Sequence, residues 1–127
     1  IVYQPRLADR FYNTNTKGEE KIKPKILNQN FISAYNMSVV KLGMKDCVTT
    51  GGCGEYMRSL PFTTGGKTGT AQWNSNKNDH AWFTAFAPFN TPQVVITVLV
   101  EEGKEGFSAS MPIARDFLAW WGPRYMK

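Results

Sequence analysis

Between residues 80 and 101 the chain alternates with a period of two. Ala81, Phe83, Ala85 and Ala87 interleave with Trp82, Thr84 and Phe86. After Pro88-Phe89-Asn90-Thr91-Pro92, the set Val94, Ile96, Val98 and Val100 interleaves with Val95, Thr97 and Leu99. A strand sends successive side chains to opposite faces, so the pattern predicts strands over His80–Ala87 and Gln93–Glu101. Both sets in each strand are largely apolar, which predicts two central strands covered on both faces. Upstream, the threonine- and glycine-rich run from Thr64 to Trp73 predicts a first, exposed strand at an edge. The polar stretch Asn74-Ser75-Asn76-Lys77-Asn78-Asp79 is its hairpin loop.

Elsewhere the period lengthens. Phe31, Tyr35, Val39 and Leu42, with Ile32 alongside, form a helical stripe. This predicts a helix capped by Asn28 or Asn30, running to about Lys41 and stopped at Gly43. A short helix is expected over Glu55–Leu60, before Pro61. A last helix begins at Ser108 or Ser110, with Pro112 in its first turn. Its expected apolar face is Ile113, Phe117, Trp120 and Trp121, and Gly122-Pro123 ends it. Residues 1–6 suggest a short strand, and Asn13–Gly18 is a turn cluster. The order helix, three antiparallel strands, helix is an α+β layout, an antiparallel sheet covered by helices.

A length of 127 residues suffices for one domain with a core. The net charge of +5 is dispersed, and the lysines at 17, 21, 23 and 25 are interrupted by Glu19 and Glu20. That reads as a solvated loop and gives no ground for a nucleic-acid partner. No apolar stretch is long enough to cross a bilayer. The start, Ile1-Val2-Tyr3, resembles neither a signal peptide nor an initiation site, so a longer or processed parent is expected. Cys47 and Cys53 flank a loop that Gly51 and Gly52 allow to fold back. They can form a local disulfide or remain two thiols. With His80 the only other soft ligand, no metal site and no cofactor are expected.

Chemistry concentrates in Gly66-Lys67-Thr68-Gly69-Thr70. On a strand, Lys67 and Gly69 share one face and Thr68 and Thr70 the other. An ammonium, two hydroxyls and a stretch of bare backbone suit an anion. Lys-Thr-Gly alone is a weak tripeptide, but its surroundings extend it. Gly66-Lys67-Thr68-Gly69-Thr70-Ala71-Gln72, His80-Ala81-Trp82-Phe83, Phe86-Ala87-Pro88, Leu99-Val100-Glu101-Glu102-Gly103 and Pro112-Ile113-Ala114-Arg115 follow in order. Together they resemble the C-terminal part of the transpeptidase domain of class B penicillin-binding proteins, of the penicillin-binding protein 2 type that serves cell elongation. The resemblance is strong over 60–121 and fainter over 30–45, and residues 1–29 add little to it.

The resemblance implies that residues 1–127 are the C-terminal segment of a DD-transpeptidase domain. Such an enzyme cross-links cell-wall peptide stems by acyl transfer from D-Ala-D-Ala, and β-lactams mimic that donor. It implies the periplasmic face of the inner membrane, with an anchor outside this chain, and partners in the elongation machinery. Three signatures form the family's site: Ser-x-x-Lys, Ser-x-Asn and Lys-Thr-Gly. Carried over, Lys67 supplies positive charge near the substrate carboxylate. Thr68 and Thr70 hydroxyls bind that carboxylate, Gly69 keeps the strand open, and the Thr70 N–H is one of two oxyanion donors. No Ser-x-Asn occurs in the chain. Ser38-Val39-Val40-Lys41 spells Ser-x-x-Lys, but in the helix before the Lys-Thr-Gly strand, out of the family's order. The expectation is one wall of a site, inert alone and dependent on the upstream part of the same protein. The alternatives are a non-catalytic sensing or interaction module and a serine β-lactamase fragment. His80 is expected to be structural. Trp73 either borders a groove or packs. Glu101 and Glu102 point to opposite faces and do not form a catalytic pair.

Overall fold

A computed structural model describes residues 1–52 and 54–127 of the chain. They fall into two units, Ile1–Met37 and Ser38–Lys127. In the first unit β1 (Val2–Tyr3) pairs antiparallel with β4 (Ile26–Asn28). Between them β2 (Arg10–Asn13) and β3 (Gly18–Lys21) form a hairpin. The expected strand at the start and turn at 13–18 are present. The Asn13 carboxamide oxygen accepts the N–H groups of Asn15 (3.0 Å) and Thr16 (3.2 Å). Residues 18–21 read as polar loop because β3 carries no apolar alternation. It is held by backbone pairing and by ion pairs such as Arg10–Glu19 at 2.9 Å.

Helix α1 spans Ala34–Thr49. It starts later than the sequence pattern predicts: Asn30 sits at φ 60°, and the Ser33 hydroxyl caps the helix by accepting the Asn36 N–H at 3.1 Å. It also runs through Gly43 rather than stopping there. A glycine costs a helix interior only about 1 kcal/mol. Val48, buried near Phe83 and Gly66, supplies the tertiary contact that outweighs this. The expected stripe does not form a buried face, since Phe31 precedes the helix and Tyr35, Val39 and Leu42 are exposed. Helix α2, Gly54–Met57, is shorter than expected, with Met57 and Leu60 in the core.

Strands β5 (Gly65–Ala71), β6 (His80–Ala87) and β7 (Val94–Val100) form one antiparallel meander in that order. Only one face of β6 is fully covered. Ala81, Phe83, Ala85 and Ala87 are buried, but Trp82 on the opposite face is exposed. Nor is β7 central, for among the described residues it pairs only with β6, and Val95 and Leu99 are 69% and 42% exposed. Residue pattern reports what a strand is suited to be covered by, and these faces have no cover among the described residues.

Helix α3 spans Ser110–Tyr125, with Pro112 in its first turn as expected. Its N-cap is Ala109, so neither serine caps by its side chain; the Ser110 hydroxyl instead donates to the Gly106 carbonyl at 2.9 Å. Its buried face is Met111, Ala114, Leu118 and Gly122, turned from the predicted aromatic face by about one residue, or roughly 100°. The helix packs against β6, with Ala114 wholly buried in the core. A Cβ at Gly122 would strike the Phe62 ring, so this glycine serves packing rather than termination. The helix passes Pro123 and recovers its last turn through the Met126 N–H on the Gly122 carbonyl at 3.1 Å. The aromatics pack outside on one another, Phe117–Trp120 at 6.0 Å and Trp120–Tyr125 at 5.6 Å.

Phe83 centres this core and is wholly buried. Phe83→Ala should therefore destabilise the domain by about 3–5 kcal/mol. Val95→Thr, on the uncovered face, should stay within about 0.5 kcal/mol. Denaturant titration of the two variants checks this.

Candidate functional site

The register between β5 and β6 decides which way the Lys67–Thr70 backbone faces. Gly69 pairs with Trp82, Thr68 with Phe83 and Thr70 with Ala81. In an antiparallel ladder, alternate residues direct both N–H and C=O toward the partner, and the others direct them away. A Cβ placed on Gly106 would collide with the Trp82 carbonyl oxygen and lie 2.9 Å from that of Gly69. The Gly69 and Trp82 peptide groups thus face each other across the ladder. Thr68 and Thr70 belong to the outward set. Consistently, the Thr68 carbonyl accepts a hydrogen bond from Lys67 Nζ at 2.9 Å at the outer edge. The Thr70 N–H points the same way, toward the edge of β5 that no other strand pairs among the described residues.

Side chains follow the expected alternation. Lys67 is exposed, and its ammonium reaches back along the edge, 3.5 Å from Thr68 Oγ1. Thr68 and Thr70 lie on the other face and line a cavity of about 540 Å³. Its remaining wall comes from the β5–β6 loop (Lys77, Asn78, Asp79) and the segment after β7 (Lys104, Glu105, Gly106, Phe107). Gly106 is the seat of that segment: with no side chain, it lies directly on the Gly69–Trp82 pair. The Lys104 N–H donates to the Asp79 carbonyl at 3.0 Å and ties the two loops together.

A second cluster holds the hairpin end. Trp73 stacks on His80 at 4.9 Å and 17°, and its Nε1–H donates to the Asn78 carbonyl at 3.1 Å. The Lys77 ammonium lies 4.9 Å over the Trp73 ring and 3.0 Å from Glu102 Oε1. His80 Nδ1 accepts the Glu102 N–H at 3.1 Å, as befits a structural histidine. Trp73 packs here and is not among the residues lining the cavity.

The other candidates lie apart. Lys41 stands over the Phe86 and Phe89 rings at 5.8 and 5.2 Å. Phe86 is paired with Gly65, five residues before Thr70 along β5. That is about 17 Å from the Thr70 end. Cys47 is disulfide-bonded; Cys53, its expected partner, lies outside the described residues. No group of ligands that could hold a metal ion occurs among the described residues. Sequence reasoning did not single out Asp79, Lys104, Glu105 or Gly106. The one available signal was the pair Gly103 and Gly106 enclosing charged residues, and it reads equally well as a solvated loop.

A family model for the penicillin-binding protein transpeptidase domain matches residues 1–119, and the chain belongs to this family. The match includes residues 1–29, where the motifs were uninformative. Peptidoglycan D,D-transpeptidase MrdA of Haemophilus influenzae is 36% identical over 74 residues, 47% of this chain and 11% of that protein. The D,D-transpeptidase domain of a peptidoglycan glycosyltransferase from Eggerthella lenta superposes with a TM-score of 0.78 at 24% identity. It covers 99% of this chain and 29% of that one. Helicobacter pylori PBP2, solved in complex with MreC, gives a TM-score of 0.56 at 29% identity, over 79% of this chain and 20% of that one. The chain thus spans about a tenth of the curated relative's length.

Because any side chain at 106 displaces the loop from the strand pair, Gly106→Ala should open the cavity wall. Amide exchange at residues 104–109 should rise at least tenfold, while Phe83 remains protected. Unchanged exchange would show that Gly106 is not the seat.

Proposed function

We propose that this chain is the substrate-binding wall of a peptidoglycan DD-transpeptidase. The observation that carries the reading is the outward Thr70 N–H beside Lys67 on the free edge of β5. In this reading Lys67 and the Thr68 and Thr70 hydroxyls hold the carboxylate of a D-Ala-D-Ala stem or of a β-lactam. Gly69 leaves the strand accessible, and the Thr70 N–H receives the oxyanion. A backbone donor aimed at a developing oxyanion contributes on the order of 3–4 kcal/mol.

The nucleophile and its base come from the upstream part of the same protein. There a serine hydroxyl attacks the stem carbonyl, D-Ala leaves, and an amine of a neighbouring stem takes the acyl group. No metal or other cofactor enters this chemistry. Neither the local Ser38 nor Lys41 takes part. The whole protein works at the extracytoplasmic face of the inner membrane, held by a segment outside this chain. As the H. pylori relative was solved with MreC, elongation-machinery proteins are its expected partners. No helix among the described residues is long and apolar enough to cross a membrane.

Fluorescent penicillin tests the reading. The chain alone should take no covalent label, and the protein with its upstream part should label stoichiometrically. Lys67→Ala in that longer protein should slow acylation roughly 10²–10³-fold. Labelling of Ser38 in the chain alone, or unchanged acylation in Lys67→Ala, would overturn the assignment.

A further inference from the structure

A second pocket, of about 250 Å³, lies at the start of β5, away from Thr70. Its floor belongs to the core: Val48, Met57 and Leu60 are buried, and Phe62 adds a ring. Packing elsewhere fixes these groups. A Cβ on Gly66 would lie 3.0 Å from Val48 Cγ1, and one on Gly122 would strike the Phe62 ring. The space is therefore set before anything enters it. Two polar side chains on its wall have no part in the chemistry described so far. Thr64 is only 2% exposed, yet among the described residues no hydrogen bond engages its hydroxyl. A buried hydroxyl without a partner is costly, and native structures seldom keep one. The Thr49 hydroxyl on the same wall differs, since it donates to the Lys45 carbonyl at 2.9 Å. Arg58 carries the one charge among the described lining residues. Helix α1 ends at Thr49, so the negative end of its dipole meets this pocket, and the Arg58 guanidinium is the group that reverses the sign.

We propose that this pocket binds a small monocarboxylate with a compact apolar body, an aryl or branched alkyl acid. The Arg58 guanidinium pairs with the carboxylate, and the Thr64 hydroxyl donates to one of its oxygens. The apolar body rests on Met57, Leu60 and Phe62, which gives burial to a group that water solvates poorly. The volume suits a body no larger than one aromatic ring. The pocket is separate from the Lys67–Thr70 edge, because Thr64 stands about 20 Å from Thr70 along an extended strand. It does not depend on the transpeptidase reading, and it uses none of the groups assigned there.

Benzoate and benzamide are the probes, alike in shape and different in charge. Methyl resonances of Val48, Met57 and Leu60 report occupancy, both in this chain and in the protein with its upstream part. Benzoate should shift all three saturably in both proteins and bind at least about tenfold more tightly than benzamide. Arg58→Gln should bring benzoate down to the affinity of benzamide. Thr64→Val keeps the shape of the side chain and removes the hydroxyl. It should weaken benzoate several-fold, yet leave the melting temperature of the unliganded protein unchanged or raised. Equal affinity for the two probes, shifts confined to Lys67–Thr70, or unchanged benzoate affinity in Arg58→Gln would overturn the site. So would a melting temperature lowered by Thr64→Val, which would show the hydroxyl already used within the protein. Loss of the methyl shifts in the longer protein would overturn it too, by showing that the upstream part fills the pocket.

Discussion

Two strands set in one register determine most of what this chain presents. With Gly69 opposite Trp82 and Thr70 opposite Ala81, the Thr70 peptide group must look outward and the Thr70 side chain must look toward the α3 side of the sheet. A slip of one residue would reverse both. The register is secured from within and from above. Within, Phe83 fills the space that Gly66 leaves empty, and a Cβ at 66 would lie 3.0 Å from Val48 Cγ1. Above, Gly106 rests on the Gly69–Trp82 pair. Gly66 and Gly106, both on the α3 face of the sheet, therefore act as register marks, each a place where two backbones or a backbone and a ring meet too closely for a side chain.

The same register separates two kinds of chemistry. The edge carries Lys67 and the outward peptide groups. The Thr68 and Thr70 face opens into a cavity walled by two loops. One strand thus addresses two spaces, and Thr70 contributes a backbone group to one and a side chain to the other. The stack of Trp73, His80, Lys77 and Glu102 fixes the hairpin end, so the loop bearing Asp79 keeps its place against the segment bearing Lys104.

Period-two alternation made β6 and β7 legible, and a threonine- and glycine-rich run made β5 so, and the α+β class followed from them. What it could not convey is which alternating faces find a partner. Trp82, Val95 and Leu99 have the composition of buried residues and stand exposed, since pattern encodes suitability for cover and not its presence. In α3 the large aromatics are the obvious apolar face, yet the small Ala114 and Gly122 are the buried ones, and Gly122 makes room for the Phe62 ring. Gly43 and Pro123 read as stops and are not, since tertiary packing outweighs a local penalty at one and a single missing bond is tolerated at the other. Of the site, Lys67–Thr70 stood out through its neighbours. Gly106 and Lys104 did not, because their meaning lies in contacts with the distant Gly69, Trp82 and Asp79 that no local pattern records.

The meander also bears on how quickly the edge is built. Among the described residues its strands pair only with their sequence neighbours, across the short connections 72–79 and 88–93. Closing such short loops costs little chain entropy. Topologies dominated by near-neighbour contacts fold faster than those that must join distant segments. Setting the ladder on which the outward peptide groups depend is thus a local event in time as well as in space.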